Sequence, residues 1–284
     1  MRPTTSSSPS LADRVALITG ANTGIGLVSA RELARRGAEV FIACRSRERA
    51  ERARESIRLA TGREVHWLEL DLGDLDSVRR CANTFLARGV PLHVLINNAG
   101  LAGKRGLTRS GFELAFGVNH VGHFLLTQLL VPLLRQSAPA RVVTVSSQAH
   151  YGCSALDFES VRRSGSLIGL REYQRSKLAN ILFSAELARR LAGSGVSTYA
   201  LHPGIIYTDI WREVPRFLHP IMRLRSTRSL EGGAETTLHC ATAPELAQQT
   251  GLYYDACQPK QPSALARDTS LAAELWRRSL GWVS

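Results

Sequence analysis

The stretch Tyr173-Gln174-Arg175-Ser176-Lys177 sets a phenol and an ammonium four residues apart. On a helix such residues lie one above the other, with Cβ atoms roughly 5 to 6 Å apart. A tyrosine ordinarily holds its proton to about pH 10, and a fixed positive charge beside it favours the phenolate, bringing the group into the range where it can take or give a proton. The same spacing also fits an exposed aromatic beside a solvated lysine. The chain has only three lysines, Lys104, Lys177 and Lys260, so one falling a helical turn after a tyrosine carries more weight than in a lysine-rich protein.

A second chemical signal is the turn TGANTGIG, Thr19 to Gly26, between the apolar run Arg14 to Thr19 and an amphipathic helix expected from about Gly24 to Arg36. Glycines at 20, 24 and 26 let backbone approach a pyrophosphate, and the helix that follows presents unpaired N–H groups and the positive end of its dipole. The next expected strand, Glu39 to Ala43, is followed by Cys44-Arg45-Ser46-Arg47. An acidic residue here would receive a ribose 2′-hydroxyl, whereas arginine accommodates a 2′-phosphate. NADP(H) is therefore read over NAD(H), with Arg45 as the phosphate partner and Arg47 assigned to a solvated helix face. Asp71, where the expected strand Glu64 to Leu70 stops, could accept from an adenine amino group or cap its loop.

The elements that must carry these groups alternate strand and helix. Asp74 to Arg88 reads as a helix, Leu92 to Asn97 as a strand ending in Asn98-Ala99-Gly100, and Phe112 to Leu134 as a long helix holding Asn119, His120 and His123. Both histidines are read as packing or hydrogen-bonding rather than metal-binding. The strand Arg141 to Val145 ends in Ser146-Ser147, an irregular stretch runs from Gln148 to Glu172, and Val196 to Leu201 is followed by His202-Pro203-Gly204. Tyr207 to Arg228, rich in large apolar residues and arginine, reads as a substrate lid, and a short strand near Gly251 to Asp255 and a helix near Leu271 to Leu280 close the chain. This order predicts an α/β fold, a single doubly wound parallel sheet of about seven strands with helices on both faces, over residues 11–284.

Composition narrows the classes. A length of 284 residues and 44% hydrophobic content suit one large α/β domain. The net charge of +12 comes from arginines spread over many helices, which argues against a nucleic-acid-tracking stripe. Five scattered cysteines show no metal or disulfide spacing and fit a reducing compartment. Met1 to Ser10, polar and Ser/Thr-rich, reads as a disordered leader, and the apolar run Phe124 to Leu134 is too short to span a bilayer. A soluble, cytoplasmic protein without a metal is expected.

TGANTGIG, NNAG, Ser-Ser after the fifth strand, YQRSK and HPGIIYT, in that order, resemble the short-chain dehydrogenase/reductase family over nearly the whole chain. VNHVGHFLLT, ACR, YQRSKLAN and ATAPELAQQTGLYYDAC look most like its retinol-dehydrogenase-like branch. The resemblance implies a catalytic tetrad of Asn119, Ser147, Tyr173 and Lys177. It assigns the cofactor to Gly20, Asn22, Thr23, Gly24, Ile25, Gly26, Arg45, Asp71, Leu72, Asn98, Ala99, Gly100, Pro203, Gly204 and Thr208, together with Tyr173 and Lys177. It also implies that Asn119, which the sequence alone would place on a helix surface, organises a water path to Lys177, and that the protein forms homodimers or homotetramers. The expected function is interconversion of an apolar alcohol and its aldehyde or ketone, with Tyr173 as general acid and base. The alternative is a non-catalytic NADP-sensing protein of the same fold.

Overall fold

A computed structural model describes residues 10–166, 169–204 and 229–284. The segment expected to form a lid, residues 207–228, lies outside them, as does nearly all of the expected leader.

Short apolar runs form the sheet: β1 Val15–Thr19, β2 Glu39–Cys44, β3 His66–Glu69, β4 Val94–Asn97, β5 Ala140–Val145, β6 Val196–His202, β7 Leu252–Asp255 and β8 Gln258–Pro259. Their order is β3-β2-β1-β4-β5-β6-β7-β8, parallel through β7. The eighth strand, beyond the seven expected, pairs antiparallel with β7 across a turn in which Ala256 and Cys257 take positive φ. Two residues reached by a turn without glycine leave little pattern in the sequence.

Alternation along each strand divides the core. Leu17, Phe41 and Leu95 face one apolar cluster, whereas Ile18, Ile42 and Ile96 face the other. On the second face lie α1 Gly24–Arg35, α2 Arg47–Thr61 and a helix at Leu230–Thr242. On the first lie α3 Leu75–Leu86, α4 Leu114–Gln136, α5 Leu170–Arg190 and a terminal helix at Thr269–Val283. The helices Leu230–Thr242 and Thr269–Val283 are α6 and α7. Glycine-rich α6, which sequence propensity does not announce, buries Gly233, Ala234 and Cys240 beside α1. Helix α2 carries many of the arginines; it buries only Ala50, Ala53 and Ile57, and pairs Arg52 with Glu48, Arg54 with Glu51 and Arg58 with Glu55.

Helix α4 is the long helix expected over Phe112 to Leu134, displaced by two residues. Its 23 residues are apolar enough to cross a membrane by length and composition, but 72% of the most apolar window is buried within the protein. The N-terminal half passes through one wide π turn at Gly117–Val121, closed by Gly122 N–H donating to Gly117 O. Bare glycines permit it: a Cβ at Gly117 would come within 2.5 Å of Thr108 Cγ2, and one at Gly122 would strike Leu72. The turn brings Asn119, His120 and His123 inside together, each no more than 1% exposed. Asn119 is therefore a buried group, contrary to its sequence reading as a surface amide.

Strand order reverses between β1 and β4, and helices leave in opposite directions there, opening a crevice at the C-terminal ends of the strands. The register aligns those ends, with Thr19 opposite Ala43, Asn97 opposite Thr144 and Val145 opposite Leu201.

Candidate functional site

The crevice has a volume of about 740 Å³. At one end the chain leaves β1 through Gly20 (φ +66°) and Gly24 (φ +58°). Gly26, in the first turn of α1, packs so closely that a Cβ would lie 2.5 Å from Asn98 Nδ2 and 2.8 Å from Gly20 O. Ser46, Asp74, Ser229 and Asp268 cap the N-termini of α2, α3, α6 and α7 with their own side chains, but Thr23 makes no such bond at α1. The first N–H groups of α1 thus have no cap from the Thr23 side chain, and Gly20, Asn22, Thr23, Gly24, Ile25 and Gly26 form the wall of the crevice there.

Beyond β2, Arg45 Nη1 stands 3.7 Å from Asp71 Oδ2. Both alternatives for Asp71 find support, because Oδ1 accepts from Gly73 N at 2.9 Å while the residue also lines the crevice with Leu72. Arg47 turns away, its guanidinium 5.9 Å from the Trp67 ring centre, in keeping with the helix-face reading. Sequence reasoning missed Ser46 and Arg49, which also line the crevice. Ser46 Oγ accepts from Arg49 N at 3.3 Å, so the pattern Ser-x-x-Arg at a helix start was the available signal. It also missed Lys104, Arg109 and Gln174 on the wall.

At the other end Asn98, Ala99, Gly100, Ser147, Tyr173, Lys177, Pro203 and Gly204 all reach the crevice, and Thr208 lies outside the described residues. Helix α5 starts at Leu170, slightly earlier than expected, and lays Tyr173 and Lys177 on one face against the end of β5. Lys177 Nζ donates to Val145 O at 2.9 Å and stands 5.6 Å from the Tyr173 ring centre. Ser146 Oγ donates to Lys177 O, fixing α5 to β5. Ser147 lies in hydrogen-bond contact with the phenol.

The electrostatics depart from the sequence expectation. Burial pushes the Tyr173 phenol up to about 12, against a smaller lowering from Ser147. Burial also pushes Lys177 down to about 7. Both residues are within 4% of complete burial, so the cost of holding charge away from water exceeds the help the ammonium gives the phenolate.

Asn119 does not line the crevice but braces it. Its Oδ1 accepts from Leu101 N at 2.9 Å, and its Nδ2 donates to Leu101 O at 3.0 Å and to Ser176 Oγ at 2.9 Å. Ser176 Oγ donates in turn to Tyr173 O at 2.7 Å. His120 contacts Ser279 and His123 contacts Thr19, and among the described residues no cluster of three His, Cys, Asp or Glu could hold a metal.

A glycine cradle beside an uncapped helix, joined to a buried serine, tyrosine and lysine, suits a dinucleotide set against a group that exchanges a proton. Residues 14–218 match the family model for short chain dehydrogenase. Retinol dehydrogenase 12 of Mus musculus is 46% identical over 270 residues, covering 94% of this chain and 85% of its own. The solved structure of an uncharacterized protein from Mycobacterium Paratuberculosis is 39% identical, with a TM-score of 0.79 over 97% of this chain and 95% of that one. The Pseudomonas aeruginosa RhlG/NADP active-site complex is 30% identical, with a TM-score of 0.67 over 86% of this chain and 94% of that one. With the strand order, the cradle and the Tyr173 helix all accounted for on the same pattern, the chain belongs to the short-chain dehydrogenase family, in its retinol-dehydrogenase-like branch, and is a nicotinamide-dependent oxidoreductase of alcohols and carbonyls.

Proposed function

We propose that the protein uses NADP(H) to interconvert an apolar alcohol and its aldehyde or ketone, with Tyr173 as the general acid and base. The observation that carries this reading is the convergence of Ser147, Tyr173 and Lys177 on the crevice, with Asn119 bracing it from behind through Ser176.

The bound nicotinamide supplies or accepts the hydride. In the reducing direction the carbonyl carbon gains that hydride while its oxygen becomes an alkoxide, and Tyr173 passes its phenolic proton to that oxygen. A phenol pushed up to about 12 keeps its proton at neutral pH and so is loaded as an acid. Ser147 has one proton to donate, which can go to the same oxygen as the alkoxide forms or back to the phenolate that remains. Lys177, near its own midpoint at neutral pH, can return the proton or hold the nicotinamide ribose hydroxyls. For oxidation of the alcohol the proton runs the other way.

Cradle and donors fit the pyrophosphate at the start of α1, where the glycines hold the turn close against α1 and the Thr23 side chain does not cap the first N–H groups. Arg45 supports the choice of NADP, since no carboxylate occupies the position after β2 and the guanidinium fork suits a 2′-phosphate. The RhlG complex, a relative by fold and sequence with NADP at its active site, points the same way. Leu101, Leu107, Leu114, Val118 and Leu170 give the wall an apolar stretch, and the relatives named retinol dehydrogenases act on an apolar alcohol by name. The proposal places the protein in a reducing, cytoplasmic setting, supported by five unbridged cysteines of which four are buried.

The test is NADPH and NADH oxidation by the purified chain against retinal, medium-chain aldehydes and aromatic ketones. Turnover with NADPH well above that with NADH is expected on at least one apolar carbonyl. Tight NADPH binding with no turnover on any of them, in either direction, would leave a cofactor-sensing protein instead.

A further inference from the structure

His123 has no role in the chemistry assigned to Ser147, Tyr173 and Lys177, yet its two ring nitrogens meet both halves of the crevice. Nε2 lies 2.8 Å from Thr19 Oγ1 and Nδ1 lies 3.0 Å from Asn119 O. The ring is 1% exposed.

Hydrogen-bond accounting fixes its tautomer. Thr19 Oγ1 already accepts from Asn98 N and Ala99 N, each at 2.9 Å. A hydroxyl oxygen has two acceptor sites and one proton, so the proton must point outward. It can go to Ile96 O at 3.4 Å or to His123 Nε2 at 2.8 Å, and the shorter contact is the better bond. Nε2 is then an acceptor, which places the imidazole proton on Nδ1 and makes it the donor to Asn119 O. One neutral form satisfies every partner.

Each end of this bridge serves a different function. Thr19 closes β1 and holds the turn Asn98-Ala99, both of which line the crevice, and Asn98 Nδ2 donates back to Thr19 O at 2.8 Å. Asn119 holds Leu101 and reaches Tyr173 through Ser176. His123 lies just past the wide turn of α4, four residues after Asn119, and its ring meets that carbonyl and Thr19 of β1 together.

We propose that His123 is a positioning residue that locks the Asn98-Ala99 turn and the Asn119 carbonyl together, so that a single imidazole sets cofactor placement on one side and the proton-transfer brace on the other. The proposal rests on the cofactor site assigned above and adds to it a residue that touches neither cofactor nor substrate.

The two arms can be cut separately. The amide of His123→Asn falls where Nδ1 stood and keeps the donor to Asn119, while losing Thr19. The longer His123→Gln reaches Thr19 and loses Asn119. NADPH dissociation constants by fluorescence titration, turnover at saturating cofactor, and the melting temperature of the unliganded chain should be measured for each. His123→Asn is expected to weaken NADPH about tenfold with turnover within about threefold of the parent, and His123→Gln to show the reverse split. Parallel losses of affinity and turnover in both variants, or no change in either, would overturn the proposal. Should neither variant fold, Thr19→Ser and Thr19→Val carry the affinity arm. The serine is expected to bind within about twofold of the parent and the valine about tenfold weaker, and equal binding overturns the proposal. A parent chain that binds no NADPH refutes the cofactor assignment and this inference with it, whereas a parent that binds and turns over beside unsplit variants refutes only the role of His123.

Discussion

At the Gly20 end of the crevice the binding surface is backbone and space, whereas at the Tyr173 end it is buried side chains whose polar atoms already have partners. Gly20 and Gly26 pack so closely against Ala99, Asn98 and the Gly20 carbonyl that a Cβ would clash, and the guanidinium that follows β2, Arg45, is mostly in water, its side chain 72% exposed. Lys177 and Asn119 are enclosed, and each is held by named acceptors or donors on β5, α5 and the Leu101 loop. A surface of the first kind recognises charge by offering donors at little reorganisation cost. A surface of the second kind sets proton affinity, because burial moves a titratable group further than an exposed ion pair does. Substitutions at the first end should therefore alter which ligand binds, and those at the second how fast it reacts and how stability follows pH.

The largest expected effect is at the enclosed end. Tyr173→Phe removes one hydroxyl and keeps the packed ring, so turnover should fall by about 10² to 10⁴ while NADPH affinity stays within about twofold. Single-turnover kinetics beside a fluorescence titration would show it. Retention of more than about a tenth of parental turnover, with chemistry rate-limiting, would put the proton donor elsewhere and erase the contrast.

At the open end, Arg45→Asp exchanges a charge-assisted partner for repulsion and sets a second carboxylate beside Asp71. NADPH should weaken by about 2 to 3 kcal/mol while NADH changes little. Equal losses for the two cofactors, measured by titration calorimetry, would mean that Arg45 does not face the 2′-phosphate.

A smaller effect is expected in the stability of the unliganded chain. Lys177 titrates at about 7 when folded against an ordinary 10.5, so the unfolded chain binds more protons between those values and folding stability gains as pH rises through that window. Below pH 7 both states are protonated and the penalty is complete. Lys177→Met should therefore melt higher than the parent at pH 6, by a few degrees, with the advantage shrinking toward pH 10. Val145 O keeps Asn180 Nδ2 at 3.2 Å in the variant, so the loss of the lysine bond leaves no orphaned carbonyl. A pH-independent difference would show that the ammonium is not desolvated.

Smallest of all is Arg47→Ala, two residues from Arg45 but resting on Trp67. Its effect on NADPH affinity should stay within about 0.5 kcal/mol. A loss comparable with that of Arg45→Asp would extend the phosphate site along α2 and blur the boundary between crevice and helix face.

What could be read from the chain follows the same division. The open end was legible because glycine spacing and an arginine after a short apolar run are local properties, and most strands were legible from their apolar runs. Burial was not. Nothing local announces the wide turn of α4, since it depends on Gly117 and Gly122 meeting Thr108 and Leu72, and so Asn119 read as a surface amide. The direction of the Tyr173 shift was lost for the same reason: spacing supplies the neighbouring charge, but only the fold tells how little water reaches the pair. Helix α6 escaped because its glycines and threonines are poor helix formers held by contact with α1.

The two-residue strand β8 has a consequence for association between molecules. A parallel sheet ending at β7 would present a row of open N–H and C=O groups to any extended chain that met it. Here β8 covers the last two residues of β7, Tyr254 and Asp255, and it does so with Pro259, which has no N–H, followed by Lys260, whose ammonium lies 2.6 Å from Asp255 Oδ2. A two-residue edge finished by proline and lysine makes a poor template for another strand. At this end of the sheet the main chain itself disfavours recruitment of a neighbour by β-augmentation.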